Sequence, residues 1–154
     1  MAKHLWLLRH GEAVPHGARS DDGKRELTPK GERQSTDAGR ALKGMRVKFD
    51  ACYASPKLRA RDTARLAVAS LDVEVVEVKA MAGKFARADA AELLGAHRGH
   101  VLMVGHEPDF AQIVYEMTGA RVHLKKGGLA VVKVSSSSEL ILLLRPAELA
   151  AMAR

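Results

Sequence analysis

Three short apolar runs in this chain each end abruptly in charged or polar residues, and a helix pattern follows each. LWLL runs into RHGE at residues 9–12, FDACYA into SPKLR at 55–59, and HVLMV into GHEP at 105–108. Runs this short are of strand length, and strands that alternate with helical stretches build α/β layers around a largely parallel sheet. If the three strands are parallel neighbours, their loops share the carboxyl edge of the sheet, where open α/β folds form their ligand crevice. The expected architecture is a three-layer sandwich, a mostly parallel mixed sheet with helices on both faces.

Local signals fill in the rest. Residues 3–9 read as a strand, and 13–27 as a polar loop holding Pro15, Gly17 and Gly23. A helix then starts at Thr28, which can cap it, with Pro29 in its first turn and Gly44 near its end. Ser55 and Pro56 suggest the cap and first position of the next helix, whose apolar residues Leu58, Ala64, Leu66 and Ala67 only loosely trace one face. VEVVEV alternates like a strand, ADAAELLGAH is helical, and HVLMVG suggests a strand buried on both faces. PDFAQIVYEMTG follows as a helix. LAVVKVS and ELILLLR read as antiparallel strands around a serine turn, and PAELAAMA as a terminal helix.

At 154 residues, one domain spanning 1–154 is expected. The net charge of +7 would draw phosphorylated or acidic partners. The basic residues are scattered, and Trp6, Phe49, Tyr53, Phe85, Phe110 and Tyr115 are not interleaved with them, so no nucleic-acid surface is expected. Cys52, the only cysteine, allows no internal disulfide and reads as a buried strand residue. The first apolar run is too short for a secretory leader and no run reaches membrane-spanning length, so a cytoplasmic protein without membrane contact is expected.

The shared edge would bring Arg9, His10, Arg59 and His106 into one small volume. Two guanidinium forks match phosphate oxygens, and positive charge beside a histidine disfavours its protonation. A neutral imidazole in an anion pocket keeps a lone pair that can attack phosphorus.

LLRHGEA, SPKLRARDTA and VGHEPD, in this order, resemble the histidine phosphatase superfamily, also called phosphoglycerate mutase-like. The short length and RELTPKG resemble its SixA-like phosphohistidine phosphatase branch. The resemblance implies a phosphoglycerate mutase-like fold and a nucleophile at His10 that becomes a phosphohistidine. A backbone carbonyl, that of Gly11, would fix the His10 tautomer. Arg9 and Arg59 would clamp the phosphate, and His106 would donate to a phosphoryl oxygen. The implied chemistry uses no metal and no cofactor, and the implied partner is a phosphorylated protein or a small phosphorylated substrate.

An ester substrate wants a general acid, and Glu107, directly after His106, is the candidate proton donor. The alternative is that Glu107 caps or neutralises the helix start at Pro108. Glu77, Asp89 and Glu92 carry no alignable motif. An imidazole leaving group needs less protonation than an alkoxide, which favours a phosphoramidate substrate. Glu12 reads as a partner of local basic groups, Asp21 and Asp22 as balancing Lys24 and Arg25. Lys125 and Lys126 read either as a basic rim or as a solvated turn. No pair among His4, His16, His97, His100 and His123 shows metal-ligand spacing. Rival readings are a phosphatase of small phosphomonoesters, a mutase, and a noncatalytic phosphate-binding module.

Overall fold

The computed structural model describes residues 2–154. Its strands, β1 (Lys3–Arg9), β2 (Phe49–Ala54), β3 (Val75–Glu77), β4 (His100–Gly105), β5 (Leu129–Val134) and β6 (Glu139–Leu144), form one sheet in the order β3-β2-β4-β1-β5-β6. The pairs β3-β2, β2-β4 and β4-β1 are parallel, and β5 and β6 add antiparallel to one edge. Helices α1 (Pro29–Gly44), α2 (Leu58–Ala67), α3 (Arg87–Gly95), α4 (Asp109–Thr118) and α5 (Pro146–Met152) cover it. Among the described residues no helix is long and apolar enough to cross a membrane.

Strand alternation divides the core in two. Trp6 and Leu8 of β1, Leu102 and Val104 of β4, and Leu129 and Val131 of β5 pack against α1, α2 and α5. Leu5 and Leu7, Val101 and Met103, and Ala130 and Val132 face the other way, onto Phe85, α3 and α4. The central strands are therefore buried on both faces, as their unbroken apolar runs suggest. Cys52 lies fully buried in the first layer, and burial pushes its thiol up to about 12.

At the outer edge the alternation of β6 is interrupted. Val131 pairs with Leu142 while Val132 pairs with Leu140, so Ile141 is an extra residue that bulges the strand. Ile141 and Leu143 stay 48% and 42% exposed, whereas Leu140, Leu142 and Leu144 pack inward.

Two sequence expectations shift. VEVVEV forms a ladder only over Val75–Glu77, because β3 pairs with β2 alone and over three residues. The helix after β2 begins at Leu58 with Lys57 at its N-cap, two residues later than Ser55 and Pro56 suggest. Ser55 still belongs to the sheet edge: its N–H donates to the Val104 carbonyl at 3.1 Å, and its hydroxyl accepts from the Lys57 N–H at 3.2 Å.

The loop after β1 is fixed by close backbone contact with α1. Thr28 caps α1 by accepting from the Gly31 N–H at 3.1 Å, and the Thr28 N–H donates to the Glu12 carbonyl at 3.0 Å. A Cβ on Gly11 would stand 2.7 Å from the Gly31 carbonyl oxygen, and one on Gly31 would overlap the Glu12 carbonyl. Gly11 is not among the glycines with positive φ, so its requirement is closeness and not an unusual backbone angle. Gly31→Ala should therefore lower stability by about 1–3 kcal/mol through overpacking. Gly44→Ala, which meets nothing within 4 Å, should be neutral or stabilising. Urea unfolding of the two variants measures the contrast.

Candidate active site

Residue pairing fixes the centre of the site. Arg9 sits opposite Gly105 in the parallel β1-β4 ladder, so the next residues, His10 and His106, leave the sheet side by side. Their ring centroids are 5.3 Å apart. The strand order reverses here, with α1 leaving β1 on one face and α4 leaving β4 on the other, which opens a crevice between them. A cavity of about 530 Å³ occupies it, lined by Arg9, His10, Arg59, His106 and Glu107 among others. The structure thus brings together all five residues singled out from the sequence.

His10 is 6% exposed, and its Nδ1 lies 2.7 Å from the Gly11 carbonyl. A carbonyl only accepts, so Nδ1 carries the proton and the lone pair is on Nε2. Burial, reinforced by Arg59, Arg9 and Lys126, pushes the His10 pKa down to about 3 against the opposing Gly11 bond. His106, 8% exposed, has Nε2 2.8 Å from the Ser55 hydroxyl. Burial and then the neighbouring His10, Arg59 and Lys57 push it down to about 3 as well.

The arginines are held by their tips. Arg59 donates from Nη1 to the Asp22 carbonyl at 2.9 Å and from Nη2 to the Asp22 carboxylate at 3.1 Å. Arg9 donates from Nη1 to the Leu124 carbonyl at 2.9 Å. The Nε of each is buried without a protein partner. A buried donor left unpaired is costly, so each guanidinium would gain from an anion brought close to it in the cavity that both line.

Glu107 caps the start of α4 and keeps a second capacity. Its Oε1 accepts from the Ala111 N–H at 2.7 Å in the first turn of α4, while burial raises its pKa above the ordinary carboxylate value. Glu12 corrects the sequence reading: its carboxylate accepts from the Thr28 hydroxyl at 2.8 Å and is in no ion pair among the described residues. The turn at Lys125–Gly128 is docked and not free. Gly127 N–H donates to the His10 carbonyl at 2.9 Å, and Arg9 N–H to the Gly128 carbonyl at 3.0 Å.

Three functional contributors escaped the sequence reading. Asp22 pairs with Arg25 at 2.8 Å, as charge balance expects, and also reaches across to Arg59. Burial alone would raise its carboxyl, but the bonds from Arg25 and Arg59 outweigh this and hold it well below the usual range. Nothing in a polar loop announces such a partner. Ser55 reads as a cap but lies fully buried against His106. Thr63, one turn after Arg59, accepts from the Gly11 N–H at 3.0 Å and donates to the Arg59 carbonyl at 2.7 Å. Its position four residues beyond Arg59 on one helix face was the available signal. Among the described residues no group of three or more His, Cys, Asp or Glu side chains is placed to hold a metal ion.

Residues 5–84 match the sequence profile of the histidine phosphatase superfamily (branch 1). The chain belongs to that superfamily. An uncharacterized protein of Picosynechococcus sp. is 30% identical to it over 158 residues, covering 92% of this chain and 96% of that protein. The mitochondrial serine/threonine-protein phosphatase Pgam5 of Drosophila persimilis is 35% identical over 78 residues, 51% of this chain and 26% of Pgam5. The structure of the protein histidine phosphatase SixA complexed with tungstate superposes with a TM-score of 0.85 at 20% identity, over 95% of this chain and 99% of that one. A chain from Nakamurella multipartitia that bears the SixA name gives 0.80 at 26% identity, over 95% and 97% of the two chains. This superfamily member is a phosphatase, and within the superfamily it is SixA-like.

Two measurements test the site's construction. Thr63→Ala leaves the buried Gly11 N–H without its acceptor and should cost about 1–3 kcal/mol in chemical unfolding, whereas Thr63→Ser should keep most of it. The pH dependence has a definite sign. The unfolded chain protonates its histidines near 6.5, while His10 and His106 in the folded protein stay neutral down to about 3. The unfolded state binds more protons in that window, so stability should fall as pH drops from about 6.5 toward 3. The slope should flatten in His106→Gln, read by unfolding at a series of pH values.

Proposed function

We propose that this phosphatase hydrolyses phosphohistidine on protein through a covalent phosphohistidine formed at His10, with residues 1–154 acting as one catalytic unit. The observation that carries this reading is the His10 ring: buried, neutral, tautomerically fixed by Gly11, and set between two arginines with unpaired Nε donors. In this reading the His10 Nε2 lone pair attacks phosphorus, and the N–P bond to the substrate imidazole breaks. That ring leaves neutral when its other nitrogen already carries a proton, so no enzyme acid is required. Arg9 and Arg59 hold the phosphoryl oxygens, whose charge grows in the transition state. With the Ser55 hydroxyl as donor to His106 Nε2, the His106 proton sits on Nδ1, available to a third oxygen. Water then cleaves the phosphohistidine and restores His10.

The SixA name carried by several of the fold neighbours supports the phosphohistidine substrate. A second reading, a phosphatase of small phosphomonoesters, is favoured by Glu107. Its carboxyl lines the cavity, and burial raises its pKa in the direction a proton donor needs. Solved neighbours named as α-ribazole and phosphoserine phosphatases share the fold.

Phosphate release from a phosphohistidine peptide and from an aryl phosphate, with a chelator present, separates the readings. The expected result is release from the peptide that falls more than about a thousandfold in His10→Ala, as loss of a nucleophile does. Quenched enzyme should carry an acid-labile phosphoryl group on the peptide containing His10. Turnover of the aryl ester alone, slowed by Glu107→Gln, would move the assignment to small esters. Full activity in His10→Ala would overturn both.

A further inference from the structure

We propose that a basic shelf beside the phosphate pocket receives acidic side chains flanking the phosphorylated residue of a protein substrate. The shelf is built from Lys30, His123 and Lys125, and it joins the pocket through Arg9 and Lys126. The proposal rests on the reading of the site as a phosphoprotein phosphatase and names what that substrate carries beside its phosphoryl group.

The shelf is a second cavity, of about 610 Å³, whose lining shares Arg9 and Lys126 with the cavity around His10. The two cavities adjoin at Arg9 and Lys126, so a chain whose phosphoryl group meets His10 reaches the shelf past those two side chains. Its basic side chains come from separate parts of the fold: Lys30 from the first turn of α1, His123 and Lys125 from the segment between α4 and β5. Glu12 is the single carboxylate among the lining residues, and it is engaged by the Thr28 hydroxyl. Among the described residues, no carboxylate lies within ion-pair distance of Lys30, Lys125 or Lys126. Arg9, Lys30, Lys125 and Lys126 still outnumber the Glu12 carboxylate in the lining, although Glu148 and Glu107 act on Lys125 and Arg9 from further away; a net positive cleft attracts anions and steers them toward the site it borders.

The shelf is held in place. Gly128 N–H donates to the Lys125 carbonyl at 2.7 Å, closing the turn, and the turn is bonded through Gly127 and Gly128 to the backbone of His10 and Arg9. Gly127 takes a φ of 79°, and a Cβ on Gly128 would stand 2.9 Å from the Lys125 carbonyl oxygen. The turn backbone bearing Lys125 and Lys126 thus keeps a fixed offset from the reacting nitrogen. Lys30 and the Lys125–Lys126 pair reach the cavity from two segments of the chain and share its lining with Pro146 and Ala147. A second phosphate would call for converging donors or a guanidinium fork. Lysines carried by two separate segments, each a single point charge, suit carboxylates spaced along a peptide.

The test uses two fluorescent peptides of equal length, each carrying a phosphoryltriazole analogue of phosphohistidine, one flanked by Asp and Glu and the other by Ser and Gln. Anisotropy with His10→Ala protein should show the acidic peptide binding about tenfold tighter at low salt, and the difference should shrink as salt screens it. Adding Lys30→Gln and Lys125→Gln should remove the difference and leave the neutral peptide's affinity unchanged. The same pair of substitutions on the His10 background should leave aryl phosphate turnover as in the unsubstituted protein. Equal binding of the two peptides, equal weakening of both by the double substitution, or a lysine-dependent gain only for a bisphosphorylated sugar overturns the proposal. Tighter binding of the acidic peptide without any phosphohistidine turnover would leave the shelf standing and reject the phosphohistidine assignment instead.

Discussion

The parallel register of β1 on β4 is the constraint from which the site follows. Because Arg9 stands opposite Gly105, the two histidines leave the sheet as neighbours, and any slip by one residue would turn one ring into a core layer. That register is secured far from the chemistry, by the inward residues of β1 and β4 that fill both layers. The third participant, Arg59, comes from a different crossover, and Thr63 ties it in by bonding to both Gly11 and the Arg59 carbonyl. Three strand ends are thereby locked into one geometry by packing on one side and a hydroxyl on the other.

Crowding cations into a buried space is costly, and the protein limits the cost in two ways. The imidazoles remain neutral, and the guanidinium tips are turned onto Asp22 and the Leu124 carbonyl. What is left unneutralised is Nε–H of Arg9 and of Arg59, aimed at no protein group. In the proposed reaction a phosphoryl dianion would enter beside two guanidinium groups whose tips are already anchored, with little reorganisation of their charge to perform.

Much of this was legible in the chain. The strand ends at RHG, SPKLR and GHEP carried the four central residues, because an apolar run that stops at a charged loop marks both an element boundary and a sheet edge. The α2 helix was harder, and for a physical reason. Its buried face holds Arg59, Ala60, Thr63, Ala64 and Ala67, so the apolar periodicity that usually reveals a helix is broken by the residues that serve the site. Ser55 followed the rule for a cap but was claimed by the sheet and by His106. Asp22 belongs to a loop that Val14 and Glu26 close on itself through backbone bonding, and contacts of that kind depend on tertiary closure that no local pattern encodes. Gly31 looks like an ordinary helix residue until the Glu12 carbonyl is seen against it.

The burial of Cys52 has a consequence for the conditions under which this chemistry can run. Phosphatases that attack through sulfur are exposed to peroxide, since the low-pKa thiolate that cleaves the ester is also the group most readily oxidised. Here the proposed attacking atom is nitrogen, and the chain's single thiol is sealed beneath the sheet with its proton firmly held. Oxidants that silence cysteine-dependent signalling enzymes find no thiol lining this crevice, so phosphoryl transfer through nitrogen would not be lost to thiol oxidation.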